Sequence, residues 1–345
     1  MRLVTSAATK IKKDLHWNAA DYAANSAVQQ TWARELIAQL HLRGDEHILD
    51  VGCGDGKVTA ELARAVPKGS ATGIDASPEM IRFAQKTFPS GKHPNLEFQV
   101  MDAREISLAA LSAPGSAGVS PASTDLQLPT GRRDASAPRR RRFISNSNPR
   151  SPALSPLGRG EGVDSAPGRV SSCVQIQPDE KFDIVFSNAA LHWVDDHRAF
   201  LRGAASVLRS GGRLIVSCGG KGNAHDVFLV LRPEMRLKRW REFFRRTEKP
   251  YFLYSPADYE KWLPRFGFKT HSVRLSPKDA VYEGRAGFAA WLRSTWLPYT
   301  QRVPEDLREE FIGAVTDRYL AKHPPDAEGR VHVRMMRLEI DAVKV

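Results

Sequence analysis

The sequence has few cysteines and no long apolar run. Its three cysteines, Cys53, Cys173 and Cys218, are odd in number and far apart, which argues against a disulfide scaffold and is typical of reduced thiols. Their spacing also argues against a cysteine metal site. No stretch approaches the roughly 18 apolar residues of a membrane span, and residues 1–14 lack the apolar core of a secretory signal. We therefore expect a cytoplasmic protein without a membrane partner.

Acidic residues are scarce in one segment, which explains much of the basic character of the chain. Residues Ser107–Pro178 contain nine arginines, four acidic residues and no lysine, so they supply +5 of the net charge of +12. The remainder of the chain lacks a basic stripe interleaved with aromatic residues. The sequence therefore does not predict a nucleic-acid partner.

The same segment, Ser107–Pro178, predicts a disordered insertion. It contains thirteen serines, nine prolines and seven glycines, a composition that buries too little apolar surface to offset the chain entropy lost on folding. Its basic run Arg139–Arg142 is compatible with a nuclear or nucleic-acid address. The alternative is a tolerated insertion, which we favour because the segment interrupts a regular alternation of strands and helices.

That alternation predicts an α/β fold. Continuous apolar runs are typical of parallel strands that are covered on both faces, and helix signals lie between them, such as the N-cap and proline of Ser77-Pro78. The expected strands are Ile48–Val51, Ala71–Ile74, Leu96–Met101, Phe182–Ser187 and Arg213–Cys218.

A glycine-rich turn follows the first expected strand. Gly52, Gly54 and Gly56 alternate along the chain, and Asp75 ends the second strand nineteen residues after Gly56. Glycines allow the backbone to approach a ligand closely, and a carboxylate at the end of the second strand can accept hydrogen bonds from both ribose hydroxyls. Dinucleotide sites favour G-x-G-x-x-G, whereas this turn reads G-x-G-x-G.

Four motifs together resemble class I S-adenosylmethionine-dependent methyltransferases. They are Asp50–Gly56, Asp75, Asp102-Ala103 and Ser187–Trp193. The last is most similar to the trans-aconitate and juvenile hormone acid carboxyl methyltransferase group. The resemblance implies a Rossmann-like, doubly wound, seven-stranded and mostly parallel sheet with a helical lid, and it implies S-adenosylmethionine as the cofactor.

The resemblance also implies cofactor-binding residues. The turn would pass under the methionine moiety, Asp75 would hold the ribose, and Asp102 with the Ala103 amide would face the adenine edge. A helix N-cap is the alternative for Asp102, and a surface turn is the alternative for Asp75. The full set that we predict is Asp50, Gly52, Cys53, Gly54, Asp55, Gly56, Asp75, Ala76, Asp102, Ala103 and Asn188. Within it, we interpret the Cys53 side chain as a packing residue and not as a catalytic thiol.

The acceptor is expected to be a small carboxylic acid. In the carboxylate methyltransferases that this chain resembles, Gln29 and Trp193 match the positions that hold the acceptor carboxylate. The alternative for Gln29 is that it caps or decorates a single helix expected over residues 24–40, with Gln30 equally placed. His192 could be a general base, a loop anchor or a core residue. A carboxylate with a pKa near ~4 needs no base, so we predict no catalytic residue beyond these positioning candidates and no metal. The alternatives are another small-molecule O, N or C acceptor, or a cofactor-binding accessory protein without turnover.

The C-terminal part, rich in aromatic residues, is expected to form a lid over the site. Strands are predicted at Phe268–Leu275 and Val331–Val343, the latter at an edge, and a helix at Glu305–Leu320. The expected organisation is a helical lead-in and lid (1–44), two halves of the methyltransferase core (45–106 and 179–219) separated by the insertion (107–178), and a region of helical lid and closing strands (220–345). The oligomeric state is left open.

Overall fold

A seven-stranded sheet organises the part of the chain that the structure describes. The computed structural model describes residues 17–111, 181–245 and 250–345. The strand order is β3-β2-β1-β4-β5-β7-β6, and β7 runs antiparallel to its two neighbours while β1 to β5 are parallel. The strands are β1 (His47–Val51), β2 (Ser70–Asp75), β3 (Leu96–Val100), β4 (Phe182–Asn188), β5 (Leu208–Gly219), β6 (Phe268–Glu283) and β7 (Arg330–Lys344). The predicted α/β fold with a mostly parallel sheet is confirmed.

Helices cover the sheet on both faces. They are α1 (Ala19–Asn25), α2 (Ala27–Ala38), α3 (Lys57–Ala65), α4 (Pro78–Thr87), α5 (Leu108–Leu111), α6 (His197–Val207), α7 (His225–Met235), α8 (Pro256–Trp262), α9 (Gly284–Thr295), α10 (Leu297–Thr300) and α11 (Glu305–Leu320), with short 3-10 turns at Leu191–Trp193 and Leu263–Phe266. Ser77 caps α4 by accepting from the Met80 N–H, as its N-cap signal predicted. Within the described residues, no helix combines the length and apolar character needed to cross a bilayer.

The burial of the central strands explains why the apolar runs identified them. β1 and β2 are buried along nearly their whole length, because α3 and α4 pack on one face and α6 on the other. Residues 208–212, which come before the strand expected at Arg213–Cys218, form the first, irregular part of β5, where its pairing with β4 shifts register. β5 therefore begins earlier than the sequence predicted.

The predicted edge position of Val331–Val343 is wrong. These residues belong to β7, which pairs with β5 on one side and with β6 on the other. β6 forms the edge instead and extends to Glu283, eight residues beyond the predicted end. Sequence alternation reports the faces of a strand but not the number of its neighbours, so the pattern of β7 could not distinguish these positions.

The predicted insertion falls almost entirely outside the described residues. The exception is its first part, residues 107–111, where α5 forms a helical turn and Leu111 is buried in the core. Regular structure therefore extends into the first residues of the predicted insertion, because two leucines in this short stretch pack against the apolar core.

Candidate active site

Two adjoining cavities lie at the carboxyl ends of β1 and β4, where ligands bind in open α/β sheets. The first, which we call the turn pocket, is lined by the glycine turn together with Tyr22, Gln29 and Asn188. The second, which we call the aromatic cavity, has walls built mainly from Trp17, Tyr22, Trp193, Phe228, Tyr251 and Trp296. Tyr22 and Gln29 line both, so the two cavities meet at the N-terminal helices.

The three glycines of the turn have different structural roles. Gly52 has φ of +77°, and a Cβ there would lie 2.1 Å from the Ala190 Cβ. Gly56 has φ of +80°, and a Cβ there would contact the Phe98 ring at 2.7 Å. Gly54 has φ of +54°, and its Cβ would meet only Tyr22 Cε1, at 3.7 Å. Gly52 and Gly56 are therefore required by packing, whereas the missing side chain of Gly54 leaves room in the turn pocket.

Asp75 ends β2 directly beside this turn. Its carboxylate accepts hydrogen bonds from the Gly54 N–H at 3.1 Å and from the Ser77 N–H at 2.8 Å, and Ala76 beside it is exposed. Burial raises the pKa of Asp75, and the nearby charge of Asp102 adds to this effect. A carboxylate offers about four lone-pair sites, so about two remain available to a ligand. Asp75 is therefore a partly buried residue beside the glycine turn, which argues against the surface-turn alternative.

The carboxyl groups of Asp50 and Asp55 line the turn pocket. Asp50 is buried and accepts from the Thr59 hydroxyl at 2.7 Å, and burial raises the pKa of Asp50 to about 7. Asp55 pairs with the Lys57 ammonium at 3.1 Å. Cys53 is buried between them, and burial raises the pKa of its thiol well above the ordinary value. The thiol is therefore protonated at neutral pH and unsuited to act as a nucleophile, in keeping with its interpretation as a packing residue.

The raised pKa of Asp50 predicts a pH-dependent stability. The folded state holds a proton on Asp50 up to about pH 7, whereas the unfolded chain releases it near ~3.9. Stability therefore falls as the pH rises between these values. Asp50→Asn removes this loss. We therefore expect the free energy of unfolding of the variant, relative to the parent, to rise by about 2–3 kcal/mol from pH 5 to pH 8, or on the order of 5 °C in Tm.

Scanning calorimetry of the ligand-free protein at pH 5 and pH 8 checks this expectation. Asp45→Asn, which changes an exposed carboxylate that pairs with Arg43, serves as the control and should show no such difference. An Asp50→Asn effect on Tm that is the same at both pH values would contradict the assignment.

Asp102 lies just after β3, and Arg104, two residues further along the chain, binds its carboxylate. Its carboxylate accepts from the Arg104 backbone N–H at 2.9 Å and from the Arg104 guanidinium at 2.9 and 2.6 Å. Residues 103–105 form a turn, and the next helix starts only at Leu108. The helix N-cap alternative for Asp102 is therefore wrong. Arg104 also bonds Asp195 at 2.9 Å, which ties this turn to the loop after β4.

The loop after β4 carries His192 and Trp193 into the aromatic cavity. It begins with Ala189 in the left-handed region, at φ of +57°, a conformation that costs a non-glycine residue free energy. His192 Nδ1 accepts from the Gly219 N–H at 3.4 Å, and its carbonyl oxygen accepts from the Phe252 N–H at 2.8 Å. Among the three alternatives for His192, the contacts favour a loop anchor. The Trp193 ring packs edge-on against Tyr251, at 4.9 Å between centroids.

Comparison with known proteins identifies the family. The methyltransferase domain model matches residues 24–273. The chain belongs to the class I S-adenosylmethionine-dependent methyltransferases. It is 26% identical to an uncharacterized methyltransferase from Schizosaccharomyces pombe over 75% of this chain and 72% of that protein. It is 23% identical to the trans-aconitate 2-methyltransferase of Rhodopseudomonas palustris (strain BisB5) over 95% of this chain and 99% of that protein.

A solved structure also matches this chain, at low sequence identity. A phosphoethanolamine N-methyltransferase from Haemonchus contortus, in complex with phosphomonomethylethanolamine and S-adenosylhomocysteine, is 12% identical, with 100% of this chain and 61% of that chain covered and a TM-score of 0.49.

S-adenosylmethionine is the cofactor of this methyltransferase family, and the turn pocket fits it. The cofactor carries a cationic sulfonium and a cationic amino group. The carboxyl groups of Asp50 and Asp55 line the pocket, and Asp75 lies next to it. Of these three, Asp55 alone pairs with a lysine of the described residues. The space at Gly54 allows the backbone to approach a ligand. The described residues hold no group of three or more His, Cys, Asp or Glu side chains that could bind a metal ion.

Gln29 lies at the junction of the two cavities of the methyltransferase. It belongs to α2. The single helix that was expected over residues 24–40 is interrupted at Ser26, which separates α1 from α2. The Gln29 side-chain oxygen is buried and has no hydrogen-bond partner among the described residues, whereas the neighbouring Gln30 bonds Glu61 at 2.5 Å. The structure therefore distinguishes two glutamines that the sequence left equally placed. The backbone carbonyl oxygen of Gln29 accepts a hydrogen bond from the Asn188 side-chain amide at 3.0 Å.

Sequence reasoning missed Arg337, which lines the aromatic cavity of the methyltransferase. It lies on β7 and is only 3% exposed. The alternation of the sequence could have identified it. Arg337 follows Val331, Val333 and Met335 at alternate positions, and these three residues are buried in one apolar core. A charged residue in the buried phase of a strand indicates a specific role.

Proposed function

We propose that this methyltransferase forms a methyl ester on a small carboxylic acid. The observation that carries the proposal is the character of the aromatic cavity. Eight tryptophan, tyrosine and phenylalanine side chains line it, no aspartate or glutamate of the described residues does, and its charged lining residue is Arg337. Such a cavity favours an apolar molecule with a negative group. The names of the trans-aconitate 2-methyltransferases among its relatives support an acid acceptor.

The cofactor-binding residues in this proposal follow the sequence motifs. Asp75 accepts from the ribose hydroxyls, the turn around Gly54 accommodates the methionine moiety, and Asn188 lines the pocket beside it. Asp102 and Ala103 face the adenine, with Arg104 sharing the Asp102 carboxylate. When bound, S-adenosylmethionine supplies an electrophilic methyl group on a sulfonium.

The proposed reaction asks the protein for positioning and exclusion of water. A carboxylate is already ionised at neutral pH, so no side chain must remove a proton. His192 Nδ1 is engaged by the Gly219 N–H, which suits an anchor. The Gln29 amide and the Trp193 indole N–H are neutral donors that can orient a carboxylate oxygen. The packed rings exclude water, so the oriented oxygen reacts without a competing hydration shell.

A coupled assay of S-adenosylhomocysteine release tests the proposal. The substrates are small apolar acids of graded size, each paired with its primary amide and its amine. We expect turnover with at least one acid and none with its amide. Turnover confined to amines or phenols would replace the carboxylate with another acceptor. A complete absence of turnover, with cofactor binding intact, would favour an accessory protein.

The positioning residues give a kinetic prediction. We expect Gln29→Ala and Trp193→Phe each to lower kcat/KM for the accepted acid by roughly ten- to 100-fold, the effect of one lost positioning bond of about 1.4–2.7 kcal/mol. Steady-state kinetics on the best acid measure this, with cofactor affinity determined in parallel. Gln39→Ala is the control, because Gln39 is exposed at the end of the same helix. Parental kcat/KM in both variants would remove these two residues from the site.

A further inference from the structure

Arg337 is a buried cation whose hydrogen-bond partners among the described residues are all neutral. The charge of the Glu339 carboxylate acts on it, but that carboxylate pairs with Arg274 instead. Arg337 lies opposite Gly219 of β5 and Ser276 of β6, at the carboxyl end of β5. Its Nε donates to the Ser217 hydroxyl at 3.2 Å, and its Nη2 donates to the Ser217 carbonyl at 2.5 Å and to Asn188 Oδ1 at 3.2 Å. No carboxylate of the described residues forms an ion pair with it. Burying a charge without a directly paired opposite charge is costly, so an anionic ligand that pairs with Arg337 would stabilise this arrangement.

The guanidinium has one donor group left for such a ligand. All its hydrogen bonds to described residues come from Nε and Nη2, and none from Nη1. Its Cζ lies 5.1 Å from the centroid of the Trp32 ring, which covers one face. Burial lowers the pKa of Arg337, but arginine stays charged in proteins. The cation therefore presents a single unused edge in a cavity walled by aromatic rings.

We propose that Arg337 is the anion-binding residue of the aromatic cavity, pairing with a carboxylate of the acceptor and restricting acceptors to acids. This deepens the proposed function and rests on it. The cofactor also carries a carboxylate, but Arg337 lines the aromatic cavity and is not among the residues of the turn pocket. A contact through Nη1 alone engages one oxygen, so the other oxygen of the same carboxylate keeps its electron density for reaction.

Direct binding tests this role without turnover. The probes are pairs of an acid and its primary amide, from propanoate to 4-phenylbutanoate, titrated calorimetrically into the full-length protein saturated with S-adenosylhomocysteine. We expect at least one acid to bind ten-fold or more tightly than its amide. Arg337→Gln, which keeps polar contacts to Ser217 and Asn188 without the charge, should remove this preference, and Arg337→Lys should retain part of it. S-adenosylhomocysteine affinity should change by less than about three-fold.

Two controls separate a binding role from a structural one. Arg334→Met changes an exposed arginine on the same strand, which pairs with Asp226, and should leave the preference for the acid unchanged. Arg337→Met supplies a second neutral variant if Arg337→Gln fails to bind S-adenosylhomocysteine. A preference for the acid that survives in a folded neutral variant would overturn the proposal. So would equal binding of acid and amide by the parent throughout the panel, or a loss that falls on S-adenosylhomocysteine alone.

This result is independent of the reaction itself. If Arg337 controls acid binding but no acid is methylated, the anion site stands and the ester-forming function fails. If acids are methylated with equal efficiency by Arg337→Gln, the function stands and the anion site fails.

Discussion

Gly54→Val is expected to abolish detectable binding of S-adenosylmethionine, a loss of more than a hundredfold in affinity. The added side chain would project into the turn pocket, where the missing Cβ of Gly54 meets only Tyr22 at 3.7 Å. Its methyl groups would occupy the space proposed for the methionine moiety. A loss of this size corresponds to about 2.7 kcal/mol or more. Titration calorimetry with S-adenosylmethionine measures it.

Backbone strain must be separated from this steric effect, since Gly54 has φ of +54° and valine adopts such a conformation at a cost of about 1–2 kcal/mol. Gly211→Val is a matched control, because Gly211 has φ of +76°, is exposed, and has no neighbouring atom within 4 Å of the added Cβ. Both variants should lose similar stability, whereas only Gly54→Val should lose the cofactor. Parental affinity in a folded Gly54→Val protein would place the cofactor away from this turn.

Asp75→Ala is expected to weaken cofactor binding by roughly ten- to 150-fold, because charge-assisted hydrogen bonds contribute about 1.5–3 kcal/mol. Two effects combine here. The ribose loses its acceptor, and the Gly54 N–H loses the partner that orients the turn. Asp75→Asn keeps one acceptor oxygen and should retain part of the affinity. Differential scanning fluorimetry confirms folding, and calorimetry gives the affinity. An Asp75→Ala protein that binds as tightly as the parent would move the ribose elsewhere.

Local signals were sufficient to locate the parallel strands and the glycine turn. The apolar runs of β1, β2 and β4 report burial on both faces, and the alternate glycines report a backbone that must pass close to other atoms. The three glycines could not be ranked, however. The roles of Gly52 and Gly56 depend on Ala190 and Phe98, which are distant in sequence, so only the packed structure separates them from Gly54.

Properties that depend on long-range pairing were not accessible from the sequence. The internal position of β7 follows from its two neighbours in the sheet. The lack of an ion pair at Arg337 among the described residues depends on which side chains distant parts of the chain bring to one cavity. The engagement of Asp102 by Arg104 is local, by contrast, and the two-residue spacing of an acid and an arginine could have indicated it.

The fate of a labelled methyl group tests the central proposal most directly. The protein is incubated with methyl-labelled S-adenosylmethionine and the most active acid of the panel, and the purified product is then treated with mild alkali. A methyl ester releases the label as volatile methanol, so we expect the label to appear in methanol and the parent acid to be recovered. A label that remains on the product after alkali would show methylation of a hydroxyl oxygen (forming an ether), a nitrogen or a carbon, and would contradict the assignment of the acceptor as a carboxylate.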